Sequence, residues 1–251
     1  MTPDTGLTTS LRQLHLPAFV DNYSSQATVA TNDGWSYDRY LVALCELELE
    51  ERRQRKTERF LRESKLPREK TWAAFEQARL PRTVQRRVDV LMEGDFLDRT
   101  ENVLAFGNPG SGKTHLLCAL GHELILKGRR IYFAPCALLV QKLLRAKSDL
   151  GLEKELKRLD KFDALIIDDI GYVQHSRDEM AVLFTLLAHR YERRSILITS
   201  NLVFSDWEKI FKDPMTTAAA IDRLVHHSVI LELNLSSYRM EAAKKAKGRK
   251  K

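Results

Sequence analysis

The sequence is poor in cysteine, glycine, proline and long apolar runs, and each shortage excludes something. Three cysteines stand among 251 residues, at Cys45, Cys118 and Cys136. They are odd in number, far apart and in no C-x-x-C pair. That excludes a disulfide framework and points to reduced thiols in a cytoplasmic protein, two of them in the core. Uninterrupted apolar runs reach only a handful of residues, as at 137–140, whereas a membrane-spanning helix needs about 20. The first 30 residues show no basic stretch followed by an apolar one, so no secretory signal is read there. With 11 glycines and 7 prolines, no Gly/Ser-rich or Pro-rich linker and no internal repeat is visible. Metal and nucleophile motifs fail as well. His122-Glu123 lacks the second histidine of H-E-x-x-H, position 126 being Leu. His226-His227 has no cysteine or further histidine at metal-ligand spacing and reads as the polar end of a helix. No G-x-S-x-G elbow occurs.

What is present describes a folded chain. Hydrophobic residues make up 43% and charged residues 30%, enough apolar surface to offset the entropy of ordering. The length suits one core domain plus a smaller module. The net charge of +7 is unevenly spread. Residues 1–51 contain only Arg12 and Arg39 as strong bases, whereas residues 52–87 hold 13 basic and four acidic side chains. Residues 101–239 are nearly balanced, with 19 basic and 17 acidic, and 240–251 hold six basic and one acidic. From 37 to 64 the chain lacks Pro and Gly and is rich in Leu, Glu, Arg and Lys, which predicts a long helix. Its second half has no apolar residue between Glu50 and Arg59. Arg52, Arg53, Arg55, Lys56, Arg59 and Arg62 make it basic, most of them recurring at helical spacing as one stripe. Pro67 stops the helix.

Beyond residue 72 short apolar strands alternate with helices. Strands are expected at 103–106, 130–134, 164–167, 195–199 and 229–233. Helices are expected at 115–126, 137–146, 152–159, 180–190, 207–211 and 218–226. This alternation predicts an α/β fold with a parallel sheet covered on both faces. Residues 1–40 read as a short helix and loops. The division expected is a helical N-terminal domain at 1–70, an α/β domain at 71–240 and a basic tail at 241–251.

Gly107-Asn108-Pro109-Gly110-Ser111-Gly112-Lys113-Thr114 fits G-x-x-x-x-G-K-[ST] at every fixed position, between a predicted strand and a predicted helix. Glycines let successive N–H groups turn inward around a phosphate, and the helix that follows adds its positive dipole end. Lys113 can reach the β- and γ-phosphates, and the Thr114 hydroxyl can ligate Mg²⁺. His115 completes the loop. A buried strand then delivers Asp168 and Asp169 at its carboxyl end, where open α/β sheets bind ligands. Asp168 is the candidate Mg²⁺ ligand, and Asp169 orients or activates the attacking water. A second buried strand ends in Thr199-Ser200-Asn201, and Asn201 is placed to hold that water.

The segments Leu47-Glu48-Leu49-Glu50-x-Arg52, Gly107 to His115, Leu165-Ile166-Ile167-Asp168-Asp169-Ile170-Gly171, Ile198-Thr199-Ser200-Asn201 and Ser237-Tyr238-Arg239 together resemble AAA+ ATPases of the initiator and helicase-loader clade. Within it they resemble the IstB-type helpers of insertion-sequence transposition. The resemblance runs from Leu41 to Arg239. It implies a P-loop core with a five-stranded parallel sheet between helices, ATP and Mg²⁺ as ligands, and two functional arginines. Arg223, in Ala220-Ile221-Asp222-Arg223-Leu224, matches an arginine finger that reaches the γ-phosphate of a neighbouring subunit. Arg239 matches a second sensor that contacts the phosphates in cis. Two departures matter. The usual glutamate is here the shorter Asp169, which is expected to slow hydrolysis. Twelve residues follow Arg239, too few for the usual helical lid, so nucleotide binding leans on the neighbouring subunit.

The function implied is an ATP-dependent helper that oligomerises on duplex DNA, selects or remodels the target and recruits the transposase of the same element, with hydrolysis driving disassembly. Its DNA contacts are expected to be largely sequence-independent, because arginines on phosphates carry affinity without base readout. A helicase loader holding single-stranded DNA and a hexameric helicase is the alternative. A small-molecule P-loop kinase is the minor one, lacking a substrate pocket and an arginine-bearing lid. A membrane-surface role lacks an amphipathic helix with aromatic anchors.

Overall fold

The computed structural model describes residues 5–171, 176–211, 213–235 and 237–238. The chain forms two compact units, Met1–Arg59 and Phe60–Lys251.

The first unit is helical. Helix α1 covers Thr5–Gln13, α2 covers Pro17–Asn32, and α3 begins at Tyr37 and runs to Ser64, its last turn belonging to the second unit. Two helices thus stand where 1–40 predicted one helix and loops. Thr, Ser and Asn are weak helix formers, so packing decides here: Leu11, Phe19 and Leu44 form a small core with Leu16, Val20, Tyr23 and Tyr40 around it. Pro17 opens α2 with its φ already suited to a helix. The buried Glu48 carboxylate accepts the Ala18 N–H at 2.9 Å, satisfying one of the orphan donors of that helix start.

The second unit is an α/β sandwich. Strands β1 (Asn102–Phe106), β2 (Ile131–Pro135), β3 (Ala164–Asp168), β4 (Ser195–Ser200) and β5 (Ser228–Glu232) form one sheet in the order β2-β3-β4-β1-β5. Every pairing is parallel. Successive side chains point to opposite faces, and each face has its own core. Leu104, Phe106, Leu165, Ile167, Ile196 and Ile198 pack against α6 (Cys136–Ser148), α7 (Leu152–Leu159), α8 (Arg177–Arg190), α9 (Glu208–Phe211) and α10 (Pro214–Val225). Val103, Ala105, Ile131, Ile166 and Leu197 pack against α4 (Arg82–Glu93) and α5 (Lys113–Leu126). Burial on both faces is why the strands read as apolar runs rather than alternating ones.

The five expected strands all form. Helix α4 was not anticipated. Helix α10 begins at Pro214, earlier than expected, because Asp213 accepts the Thr216 N–H at 2.7 Å as its cap. After β1 the chain crosses to the far edge, β2, and returns through β3 and β4. The carboxyl ends of β3, β4 and β1 therefore stand side by side where the strand order reverses, the place an open sheet offers a ligand.

Candidate functional site

The loop leaving β1 is shaped by its glycines. Gly107 has φ 149° and sits so close to the Leu233 carbonyl that a Cβ would collide with it. Gly112, at φ 96°, occupies the position before α5 in a left-handed conformation. Lys113 opens that helix, and its buried ammonium donates to the carbonyls of Gly107 at 2.7 Å and Asn108 at 3.0 Å. Ser111 Oγ is buried in the same loop without a hydrogen-bond partner among the described residues. A helix start, a lysine folded onto its own loop and an orphaned hydroxyl are what a phosphate-binding cradle offers. A cavity of about 300 Å³ opens over it, lined by Pro109, Gly110, Ser111, Gly112, Lys113, Thr114 and His115. Gly107 and Asn108 stand behind it, holding Lys113.

Asp169 and Asn201 line the same cavity. Asp168 closes β3 and Asp169 follows it in the turn. Asp168 is half-buried, and its Oδ1 accepts the Thr199 hydroxyl at 2.7 Å. The Asp169 N–H donates to that same hydroxyl oxygen at 2.8 Å, and the Ile170 N–H donates to the Thr199 carbonyl at 3.1 Å. Asp169 itself takes φ 57°, a conformation aspartate tolerates better than most residues, and is exposed to the cavity. Thr199, fully buried, is the hinge pin of this arrangement. Its signal in the sequence is a polar residue inside an apolar strand, two positions before Asn201. Behind the site, burial pushes the Cys118 thiol up to about 12, the Asp168 charge adding to the effect, and burial with Asp169 pushes Cys136 to about 12 as well.

A wall of the cavity was missed altogether. Lys70, Ala74, Phe75, Glu76 and Arg79, with Leu235 and Tyr238, close one side. Phe75 stacks on Trp72 with centroids 5.7 Å apart and meets the His115 ring edge-on at 5.2 Å. His115 Nε2 is 3.1 Å from the Thr71 carbonyl, so the loop and this wall are joined. The Arg79 guanidinium lies over the Tyr238 ring at 5.4 Å. The segment has no regular periodicity, which hid it. Two aromatics three residues apart, between Pro67 and Pro81, were its one trace.

Arg223 is not among the cavity-lining residues. It lies on α10, stacked over Phe184 of α8 at 4.9 Å and donating to the Ala219 carbonyl at 3.0 Å. Arg239 and the tail at 241–251 lie outside the described residues. The basic stripe is interleaved with acids. Arg53 pairs with Glu50 at 3.0 Å and Arg55 with Glu51 at 3.2 Å. Arg52 is tied more firmly, to buried Glu48 at 2.7 Å and to the His15 carbonyl at 2.8 Å. Arg53, Arg55, Lys56, Arg59 and Arg62 are all exposed.

Residues 9–246 match the family model described as IstB-like ATP binding protein. The chain is similar to an insertion sequence ATP-binding protein of Sinorhizobium fredii, at 44% identity over 238 residues, 94% of this chain and 80% of that one. It is also similar to the IS5376 ATP-binding protein of Geobacillus stearothermophilus, at 39% identity, with 91% of each chain covered. Among solved structures, AMPPCP-bound DnaA from Aquifex aeolicus shares the fold, with a TM-score of 0.58 and 18% identity over 73% of this chain and 56% of that one.

Proposed function

The chain belongs to the family of IstB-like ATP-binding proteins, and from that premise we propose that it is the ATP-driven DNA-binding helper of an insertion-sequence transposase. The loop 107–114 takes the β- and γ-phosphates of ATP on its backbone N–H groups, and Lys113 exchanges its two loop carbonyls for phosphate oxygens. Thr114 and Asp168 are the residues that would hold Mg²⁺, which would supply positive charge against the phosphates. Asp169 accepts a proton of the attacking water, and Asn201 orients it from the next strand end. The wall of Phe75, Arg79 and Tyr238 receives the base, whose π-face suits aromatic and guanidinium surfaces.

One observation carries the assembly step. Asp169, Asn201 and Lys113 share a cavity while Arg223 stands outside it on α10. An arginine that stays charged and offers a planar fork serves the γ-phosphate of a neighbouring copy. ATP then favours an oligomer, and each copy adds its Arg53-to-Arg62 stripe to a positive track for duplex DNA. The assembly marks the target and recruits the transposase, and hydrolysis releases it.

Mixing inactive subunits tests this. Lys113→Ala cannot bind the nucleotide productively and Arg223→Ala cannot donate the arginine. If Arg223 acts in trans, the mixture recovers part of the ATPase activity that each variant lacks alone; no recovery sinks the trans assignment. ATP-dependent binding of duplex DNA is expected to vanish in Lys113→Ala. Tighter binding of single strands than of duplex would favour the loader reading instead.

A further inference from the structure

The His226-His227 pair reads in sequence as helix-end surface, and the fold gives it a partner. Glu192, in the turn between α8 and β4, brings its carboxylate to these rings, and one ligating atom from each of Glu192, His226 and His227 lies within 4.8 Å of the others. All three residues are exposed, so an ion has a path from solvent. We propose that Glu192, His226 and His227 form a site for a divalent transition-metal ion of the zinc class, separate from the nucleotide cavity.

Several features support a built site. Two imidazoles and one carboxylate are the donor set of three-ligand zinc sites, which leave a fourth position for water. The Tyr191 hydroxyl lies 3.0 Å from His226 Nδ1. When Nδ1 carries the proton and donates it to that hydroxyl, Nε2 is the lone-pair donor, the support that ligating histidines usually have. His226 and His227 rings are 4.1 Å apart between centroids. The His227 carbonyl accepts the Asn102 N–H at 2.7 Å, which anchors that residue to the start of β1. Glu192 holds its position at φ 55°, a left-handed backbone. Of the adjacent cations, Arg193 points to Asp160 at 3.6 Å and Arg194 to Asp163 at 3.2 Å.

An ion so held joins the turn after α8 to the end of α10, one helical turn beyond Arg223. Resting on the trans-acting reading of Arg223, this staple sets the angle at which α10 offers that arginine; the binding itself does not depend on it.

The test uses the full chain without nucleotide, in excess Mg²⁺ so that the phosphate loop does not take up the probe. Co²⁺ is titrated in and its visible ligand-field absorption followed, then Zn²⁺ is added as competitor. One equivalent of Co²⁺ is expected, displaced by Zn²⁺. His227→Gln and Glu192→Gln should each weaken binding at least about tenfold, and Tyr191→Phe should weaken it about tenfold as a supporting partner. Zn²⁺ should raise the thermal midpoint of the wild-type chain and leave that of His227→Gln unmoved. Variants that melt like wild type in chelator yet bind Co²⁺ as tightly as wild type overturn the proposal, as does a wild-type chain that binds none. Neither result touches the subunit-mixing experiment, so the two readings fail separately.

Discussion

A single hydroxyl ties the two acids at the end of β3 to the strand that leads into Asn201. Thr199 donates to Asp168 and accepts from the Asp169 backbone N–H, both within 2.8 Å. Valine has the same shape without the donor. Thr199→Val leaves a half-buried carboxylate and a backbone N–H short of a partner, a cost of about 1–3 kcal/mol. It also frees the turn that aims Asp169. We expect stability to fall by that amount and the ATPase rate by about tenfold or more, since small misplacements of positioning groups cost orders of magnitude, while Thr199→Ser retains both. Denaturant unfolding and steady-state hydrolysis measure the pair; a Thr199→Val protein that hydrolyses at the wild-type rate removes the threonine from the mechanism. Thiols report the same region. Cys118 and Cys136 are buried with their thiols near 12, whereas Cys45 is exposed. Only a thiolate reacts quickly, so a disulfide reagent at neutral pH should label one thiol in the native chain and three after unfolding.

At the scale of elements, the end of the sheet opposite the site is closed by one buried cation. Arg190, the last residue of α8, is fully buried and donates to the carbonyls of Leu159, Phe162 and Ser195, each at 3.1 Å. Burial pulls its pKa down and Asp160 pushes it back up. It replaces water for carbonyls at the amino ends of β3 and β4. Arg190→Met keeps the length and strands those acceptors, so a loss of about 3 kcal/mol is expected, read as a lower urea midpoint. Nothing in the sequence distinguished Arg190 from a surface arginine, because burial of a charge depends on which carbonyls converge on it. The same divide runs through the rest of the fold. The strands β1 to β5 were legible because burial on both faces left continuous apolar runs, three of them ending in Gly107, Asp168 and Asn201. The phosphate loop was legible because its glycines and Lys113 are dictated by local geometry. The Phe75–Arg79 wall was not, since its residues meet the site only through tertiary packing, and α1 and α2 form against their own propensities. Phe75→Ala is the corresponding test of the wall. Loss of its stacking should weaken ATP binding about tenfold, from the roughly 1–3 kcal/mol that base–aromatic stacking contributes, with titration of a fluorescent ATP analogue as the measurement.

At the scale of the whole molecule, the question is what a net charge of +7 is for. Residues 101–239 are close to balanced, so the excess sits at 52–87, on and just after the long helix, and at 240–251. There the structure divides the arginines by role. Arg52 holds Glu48 and the His15 carbonyl, and so braces the helices of the first unit. Arg53 and Arg55 pair with the exposed or half-buried Glu50 and Glu51 one turn back, contacts worth about 0.3–0.5 kcal/mol each, and Arg55 lies 3.7 Å from buried Glu48, which keeps its shorter bond to Arg52. Such pairs give way readily to DNA phosphates. Each phosphate neutralised contributes about 0.9 to the steepness with which log affinity falls against log salt on duplex DNA. Replacing Arg53, Arg55 and Lys56 together by Gln should therefore lower that steepness by up to about 2.7 and leave the melting temperature nearly unchanged. Arg52→Ala should do the reverse, lowering stability with little change of slope. Fluorescence anisotropy on duplex DNA across a salt series, with ATP present, measures the first, and thermal unfolding the second. A triple variant whose salt slope matches wild type would mean that the charge of this helix serves its own glutamates rather than DNA, and the track proposed for the assembly would have to be sought elsewhere on the chain.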